Sequence, residues 1–98
     1  MEKNTPHCKL SKVHILLNMG KVRTTISAIS GAAALGLDFE DMLNVVSDLT
    51  IRDFHKSMTT HHDQHIWQDV YKPVTRVGPV YLKLTVLSDV LIVSFKEL

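Results

Sequence analysis

Four polar side chains in the second half of the chain combine two cations, an amide and a phenol: Lys56, Gln68, Tyr81 and Lys96. Lys83 lies close to Tyr81 in the sequence. A lysine can neutralise the charge of a pentacoordinate phosphorane, and a second lysine can protonate a leaving 5′-oxygen. A tyrosine can orient an attacking 2′-hydroxyl or accept its proton. On one polar surface, this set would suit a phosphodiester, and an RNA that supplies its own nucleophile would need no metal or other cofactor.

The C-terminal stretch, residues 80–96, predicts a β-hairpin because apolar and polar residues alternate with a period of two. Ser88-Asp89 is the predicted two-residue turn. In that register one face is continuously apolar, with the pairs Leu82–Phe95, Leu84–Val93 and Val86–Leu91. On the other face, Tyr81 lies opposite Lys96. An ordinary cross-strand pair on a solvated face is the alternative interpretation, and the pattern alone favours it.

Residues 54–60 and 66–71 predict another hairpin, joined by the histidine-rich loop 61–65. If Thr60 lies opposite Gln64, Lys56 lies opposite Gln68. Alternation does not identify the buried face, because both of these polar residues share a side with apolar ones. Trp67 falls on the other side of the hairpin.

Three helices are predicted ahead of the strands. The first begins at Thr5-Pro6 and ends at Gly20. Thr24 or Thr25 caps the second, which ends at Leu35-Gly36. Its predicted buried stripe is Ile26, Ile29 and Ala33, and its small residues Ala28, Ala32 and Ala34 indicate close packing on a neighbour.

The third helix has the clearest signals. Asp38 is the predicted N-cap, and Asp41 lies at the third position, where it completes a capping box. Its apolar residues recur at helical spacing: Phe39, Met42, Leu43, Val46 and Leu49. Residues 50–53 resemble a second capping box and predict a short turn before the strands.

The composition is that of one globular domain, residues 1–98, with 45% hydrophobic and 21% charged residues. Cys8 is the only cysteine, which excludes an internal disulfide and suits a reducing compartment. With no signal peptide and no apolar run of membrane-spanning length, a cytoplasmic protein is expected. Helices followed by four consecutive antiparallel strands predict an α+β fold, with three helices packed on one face of a curved sheet.

Charge and histidine content leave the class of ligand open. The formal net charge of +1 permits contact with nucleic acid without demanding it. His61, His62 and His65, with His55 nearby, could bind zinc or nickel. No cysteine lies close and the spacing matches no structural zinc pattern, so a solvated loop is favoured.

Five stretches carry a resemblance to a known family: GLDFEDMLNVV, DFHKSMTT, IWQDVYKP, VYLKLTV and DVLIVSFK. Over its whole length the chain resembles the MqsR toxins of bacterial toxin–antitoxin systems. The resemblance implies a RelE-like fold and a ribosome-independent mRNA interferase that cuts single-stranded mRNA at GCU-type sequences. It also implies a zinc-binding antitoxin of the MqsA type as partner, with DNA contacted only through the antitoxin and no contact with a membrane.

The resemblance places the family's functional residues on four positions of this chain: Lys56, Gln68, Tyr81 and Lys96. It implies that Lys56 acts as a general base or on the phosphate, and that Tyr81 orients or activates the 2′-hydroxyl. Lys96 would stabilise the phosphate and Gln68 would position the RNA.

Three further residues are expected to contact RNA: Lys83, Arg76 and Trp67. Core packing is the alternative role for Trp67. The chain also departs from the family. Ser88 stands where a family member has a histidine, and the loop 61–65 is unusually rich in histidine.

Two functions from different classes follow from these observations. The first is a metal-independent endoribonuclease toxin. The alternative is a catalytically weak binding module that acts through its antitoxin as a transcriptional co-regulator. Retention of Lys56 and Tyr81 favours activity. The antitoxin could pair with an exposed edge of the first hairpin or dock on a helix surface. A metal-dependent hydrolase that uses the histidine loop ranks below both.

Overall fold

A computed structural model describes residues 1–98. Its helices are α1 (Leu10–Asn18), α2 (Ile26–Ala34) and α3 (Phe39–Ser47), and a 3₁₀ turn (Ile51–Asp53) follows them. Its strands are β1 (Glu2–Lys3), β2 (Val22–Thr24), β3 (Phe54–Thr59), β4 (Trp67–Tyr71), β5 (Val74–Thr75), β6 (Gly78–Val86) and β7 (Val90–Glu97). The predicted short turn at residues 50–53 is confirmed, including its capping box.

The strands form one seven-stranded sheet in the order β1-β3-β4-β6-β7-β2, with β5 paired beside β6. Its centre is the predicted run of four consecutive antiparallel strands, β3, β4, β6 and β7. The two border strands were not predicted, because two and three residues are too short to show a periodicity. β1 pairs with β3, and β2 runs parallel to β7. The edge of β3, which was expected to be exposed, is therefore partly covered by β1.

One face of this sheet carries the core. We call it the helix face, defined by the buried residues Tyr71, Leu82, Leu84, Ile92 and Phe95. These side chains form one cluster with buried residues from all three helices: Val13 and Leu16, Ala28 and Ala32, and Met42 and Val46. The α+β class and a helical layer against the sheet are thus confirmed.

The C-terminal hairpin follows the predicted register only over its outer half. Tyr81 pairs with Lys96 and Leu82 with Phe95, as expected. Between Lys83 and the turn, a β-bulge shifts the register by one residue. Leu84 therefore pairs with Ile92 instead of Val93.

The bulge also changes the turn and the buried face of β7. Val86 pairs with Val90, so the turn contains Leu87, Ser88 and Asp89 instead of two residues. Val90 and Ile92 are buried where Leu91 and Val93 were predicted. The β7 carbonyl of Val93 accepts a hydrogen bond from the Thr25 hydroxyl at 2.9 Å.

The first hairpin has the predicted strands but is shifted by two residues. Met58 pairs with Gln68, and Lys56 pairs with Val70, so the predicted Lys56–Gln68 pair is wrong. A shift of two leaves Lys56, Met58, Gln68 and Val70 on the face that they were predicted to share, because the side-chain period of a strand is two. Lys56 and Gln68 therefore still share a face. Phe54 was predicted on that face as well, but a bulge between Phe54 and Lys56 pairs it with Tyr71 and packs it against the core.

Helix α1 ends as predicted but begins later. Gly20 has a φ of +74°, and the Lys21 N–H donates to the Leu16 carbonyl at 2.9 Å, as in a Schellman motif. The predicted start at Thr5-Pro6 is wrong, because residues 5–9 lie across the sheet outside any helix. The helix starts at Leu10.

Helix α2 has the predicted cap and a different buried face. The Thr25 side chain accepts a hydrogen bond from the Ala28 N–H at 3.0 Å. Ile26 and Ile29 are exposed, and the buried positions are Ala28 and Ala32. The expected stripe Ile26, Ile29 and Ala33 is thus wrong, whereas the close packing inferred from small residues is confirmed. A methyl group at Gly31 would overlap the Phe95 carbonyl oxygen.

Helix α3 confirms both of its sequence signals. Asp38 and Asp41 form a reciprocal capping box. Met42, Val46 and Leu49 are buried, while Phe39 at the end of the predicted stripe is 40% exposed. No helix of the chain has both the length and the apolar character that crossing a bilayer requires.

We predict that Gly31→Ala destabilises the fold even though alanine is the better helix former by about 1 kcal/mol. The added methyl group must push α2 away from β7, so the free energy of unfolding should fall by about 1–3 kcal/mol in urea titrations. Ser30→Ala, at the exposed neighbouring position, is the control. Equal or higher stability of Gly31→Ala would contradict the close contact.

Candidate active site

The second face of the sheet holds the polar residues. Register places Lys56, Val70, Lys83 and Ser94 in one row across β3, β4, β6 and β7. Since cross-strand partners and alternate residues of a strand share a face, we define the open face as Lys56, Met58, Gln68, Val70, Tyr81, Lys83, Ser94 and Lys96. None of these residues belongs to the core cluster.

Val70 occupies the middle of this open face and is fully buried. Val70 does not belong to the core cluster that the helices form with the other face of the sheet. Its row neighbours are Lys56 and Lys83, and lysine stems commonly pack along apolar surface while the ammonium stays in water. The row therefore places two lysines on either side of one apolar residue, on strands that lie two strand spacings, roughly 10 Å, apart.

Lys56 is the lysine of the open face that forms an ion pair with a carboxylate. Its side chain is 30% exposed, and its Nζ lies 3.3 Å from Glu2 Oε2. Glu2 pairs with Met58, so β1 brings this carboxylate onto the same face. Gln68 lies across from Met58 and is half-buried.

Tyr81 and Lys96 form the next row along β6 and β7, and their predicted pairing is confirmed. The Lys96 Nζ lies 5.2 Å from the centre of the Tyr81 ring, a cation–π contact. The other tyrosine of the chain, Tyr71, is fully buried on the helix face. Tyr81 is therefore the only phenol that the open face offers.

Lys83 lies two residues from Tyr81, at the centre of the face. Partial burial, and then the positive charge of Lys96, lower the pKa of Lys83 from its ordinary value of 10.5. A lysine whose pKa lies closer to neutrality is better suited to exchange a proton. The open face thus holds two kinds of lysine: Lys56 with a carboxylate partner and Lys83 without one.

A buried carboxylate fixes the hairpin from the opposite side. Asp69 is 4% exposed and accepts hydrogen bonds from the backbone N–H of His7 at 3.0 Å and of Cys8 at 3.1 Å. It also hydrogen bonds to the hydroxyl of its strand partner Ser57. Ser57 and Asp69 are chain neighbours of Lys56 and Gln68, so this contact holds the two strands at the position where both reach the open face.

Arg76 and Trp67 are not brought to the open face. Arg76 lies in the exposed β5–β6 connection, with its Nη2 3.4 Å from the Asp41 carboxylate of α3. Trp67 points to the side opposite Gln68, and it does not belong to the core cluster. Its ring stacks on His7 with centroids 5.2 Å apart, and the Lys3 Nζ lies 4.1 Å from the ring centre.

The histidine loop does not converge on a metal-binding group. No set of three or more His, Cys, Asp or Glu side chains is arranged to hold a metal ion. The contact inside the loop is between His65 Nδ1 and Asp63 Oδ1, at 3.2 Å, and both side chains are exposed. Ser88 lies in the exposed β6–β7 turn, at the far end of β6 from Tyr81.

Comparison with known proteins identifies the family. The chain matches the family described as "Motility quorum-sensing regulator, toxin of MqsA" over residues 5–97. The chain belongs to the MqsR toxin family. The "mRNA interferase toxin MqsR" of Escherichia coli (strain K12) is 61% identical over 97 residues, which cover 99% of each chain. The family resemblance read from the sequence motifs is confirmed.

Two residues beside the candidate site of this MqsR-family chain were not predicted from the sequence. An aspartate between Gln68 and Val70, inside an otherwise apolar strand, is a signal that could have revealed Asp69, because buried charges need several partners. Glu2 has no comparable signal. Its contact with Lys56 spans 54 residues of chain and depends on a strand of two residues.

We predict that Asp69→Asn lowers the free energy of unfolding by about 1–3 kcal/mol. The carboxylate oxygens now accept hydrogen bonds from N–H and O–H groups, and an amide NH₂ in the place of one oxygen would be a donor facing those donors. Urea titration measures the effect. Asp48→Asn, at the exposed end of α3, removes the same charge and should leave stability within about 0.5 kcal/mol of wild type. Equal stability of the two variants would contradict the proposed role of Asp69 in anchoring residues 5–9.

The lowered pKa of Lys83 means that its charge opposes folding at neutral pH. Its folded-state pKa is lowered, so between that value and the unfolded value of 10.5 the unfolded chain binds more protons and stability rises with pH. Removing the charge should therefore stabilise the fold at neutral pH. Lys83→Met is expected to unfold at higher urea concentration than wild type, and the exposed control Lys12→Met is not. A lower midpoint for Lys83→Met would contradict the stated cause.

Proposed function

We propose that this chain is the toxin of a type II toxin–antitoxin system and that it cleaves single-stranded mRNA on the open face of its sheet. Identity of 61% with a named mRNA interferase toxin supports the class of activity: the chain is an endoribonuclease. The observation that carries the site is the register that gathers Lys56, Gln68, Tyr81 and Lys96 on the face without helices. We also infer that the fold is of the RelE type.

The proposed reaction uses the nucleophile of the RNA itself. The 2′-hydroxyl gives up its proton and attacks the adjacent phosphorus, the P–O5′ bond breaks as a lysine ammonium protonates O5′, and the products carry a 2′,3′-cyclic phosphate and a 5′-hydroxyl. Tyr81 orients the 2′-hydroxyl or accepts its proton, and Lys56 acts as general base or stabilises the phosphorane. Lys96 stabilises the phosphate charge, and Gln68 positions the RNA. No metal is required, because the protein supplies both cations and proton-transfer groups.

Lys83 extends this proposed site as an RNA-binding residue at the centre of the face. Its position between Tyr81 and Ser94 places it in the path of any strand that reaches both Lys56 and Lys96. Proteins recognise single-stranded RNA by stacking on unpaired bases and by hydrogen bonds to the base edges. We propose that this chain prefers GCU-type sequences. For Arg76 and Trp67, contact with RNA requires the strand to pass beyond the open face.

The family description names MqsA, and we propose that a zinc-binding antitoxin of the MqsA type neutralises the toxin. DNA is then contacted only through the antitoxin. Because the proposed substrate is mRNA, we place the activity in the cytoplasm, without a membrane partner. The alternative function is that of a catalytically weak binding module, which acts through the antitoxin as a transcriptional co-regulator. An RNA cleavage assay distinguishes the two functions.

We predict that the purified chain cleaves a single-stranded RNA containing GCU in the presence of EDTA and leaves cyclic phosphate ends. Lys56→Ala and Tyr81→Phe should each lose about 100-fold or more in rate, the usual contribution of one acid–base group. Lys12→Ala removes an exposed lysine of α1 and should cleave like wild type. Gel mapping of the products, with end-group analysis, measures all four proteins.

The outcomes separate the two functions. Cleavage that EDTA abolishes would reject the metal-independent mechanism. A wild-type rate for Tyr81→Phe would remove Tyr81 from the step that activates the 2′-hydroxyl. An inactive wild-type protein that still binds its antitoxin would reject the nuclease and leave the binding module.

A further inference from the structure

Glu2 is the only carboxylate that strand register places beside the open face. It contacts the ammonium of Lys56 at 3.3 Å, and it is itself 61% exposed. The face otherwise presents cations, an amide, a phenol and a hydroxyl. A carboxylate and a phosphate bind an ammonium through the same kind of charged oxygen. Glu2 therefore occupies the position on Lys56 that a phosphate oxygen would take.

The ion pair between Glu2 and Lys56 can be replaced by another anion on Lys56. An ion pair this exposed is weakly held, because water screens both charges. Glu2 is carried by β1, a strand of two residues that pairs only with Ser57 and Met58. The Thr59 N–H also donates to the Met1 carbonyl at 3.0 Å. Glu2 can rotate away from Lys56 while this short strand remains paired.

Space for a ligand adjoins the same contact. A half-open groove of about 300 Å³ lies beside Glu2 and is lined by Met58, Thr60, His61 and Gln64 among others. Its walls come from β1, from the end of β3 and from the histidine loop. A strand of RNA with one phosphate on Lys56 would have room for a neighbouring nucleotide there.

We propose that Glu2 is a substrate-displaced counterion: it holds Lys56 in the RNA-free protein and must release it before a phosphodiester binds. This inference rests on the proposed function, since it assigns an RNA phosphate to Lys56. Glu2 raises the threshold for RNA binding because its carboxylate competes with the incoming phosphate for the Lys56 ammonium. Glu2 acts through Lys56, so it is a positioning residue and not a catalytic one.

The test measures binding separately from cleavage. The probe is a fluorescently labelled 2′-O-methyl RNA oligonucleotide containing GCU, which lacks the nucleophile and cannot be cut. Fluorescence anisotropy is followed over a series of salt concentrations. Glu2→Gln keeps the size of the side chain and removes its charge. It should bind about 3–10-fold more tightly at low salt, and its salt dependence should steepen by about 0.7 in log–log slope, the value for one added phosphate contact on a single strand.

Two controls separate the contact from a general charge effect. Glu40→Gln removes an exposed carboxylate from α3 and should bind like wild type. In a Lys56→Met background, Glu2→Gln should have no further effect, because there is no ammonium left to release. Glu2→Asp keeps the charge but shortens the reach by one methylene, and it should fall between wild type and Glu2→Gln.

Each result decides the inference. Tighter binding by Glu2→Gln that disappears in the Lys56→Met background supports it. Unchanged or weaker binding by Glu2→Gln overturns it, and so does an equal gain in the Lys56→Met background. The same proteins are assayed for cleavage of the unmodified RNA. Absence of cleavage by wild type would reject the nuclease while leaving the binding comparison intact, so the two failures are distinguishable.

Discussion

The demand for a buried core on one side of a seven-stranded sheet is the constraint on which the rest of this structure depends. Three short helices can cover only one face, and each contributes small or medium side chains to a single cluster. Gly31 lets α2 approach the backbone of β7 directly. Because strand side chains alternate, every residue adjacent to a core position is sent to the other face. The open face is the consequence of that packing.

The open face gathers like charges, and this has an electrostatic cost. Partial burial and then the charge of Lys96 lower the pKa of Lys83. Val70 supplies an apolar floor, and the Tyr81 ring offers its negative face to Lys96. Such a surface is costly without an anion and is favourable with one. The proposed phosphodiester substrate would meet this need, so the repulsion that weakens the fold would favour the proposed substrate.

The N-terminal residues take part on both faces of the sheet. On the helix side, residues 5–9 are anchored by the carboxylate of Asp69 and by Ser57. On the open side, Glu2 reaches Lys56. The first contact involves Asp69 of β4 and Ser57 of β3, and the second involves Lys56, the chain neighbour of Ser57. One short N-terminal segment therefore contacts this hairpin on both faces of the sheet.

Much of this could be predicted from the sequence by itself, because the deciding interactions are local. The capping box of α3, the Thr25 cap, the end of α1 at Gly20 and the run of four antiparallel strands depend on neighbouring residues or on periodicity. The pairing of Tyr81 with Lys96 was predicted from a two-residue turn, and it holds because the three-residue turn and the one-residue bulge compensate for each other. The family motifs supplied the expected roles of the four candidate site residues.

Tertiary structure decided the features that join distant segments. At the bulge of β7, the Val93 carbonyl accepts a hydrogen bond from the Thr25 hydroxyl, a long-range contact that no alternation pattern encodes. The buried face of α2 depends on the close approach of β7, and this approach favours alanine and glycine over the isoleucines of the same helix. Glu2 and Lys56 lie 54 residues apart in the chain, and they come into contact because the two-residue strand β1 pairs with the edge of β3. Long-range pairings of this kind are selected by the fit of the whole fold, and a local window of sequence cannot specify them.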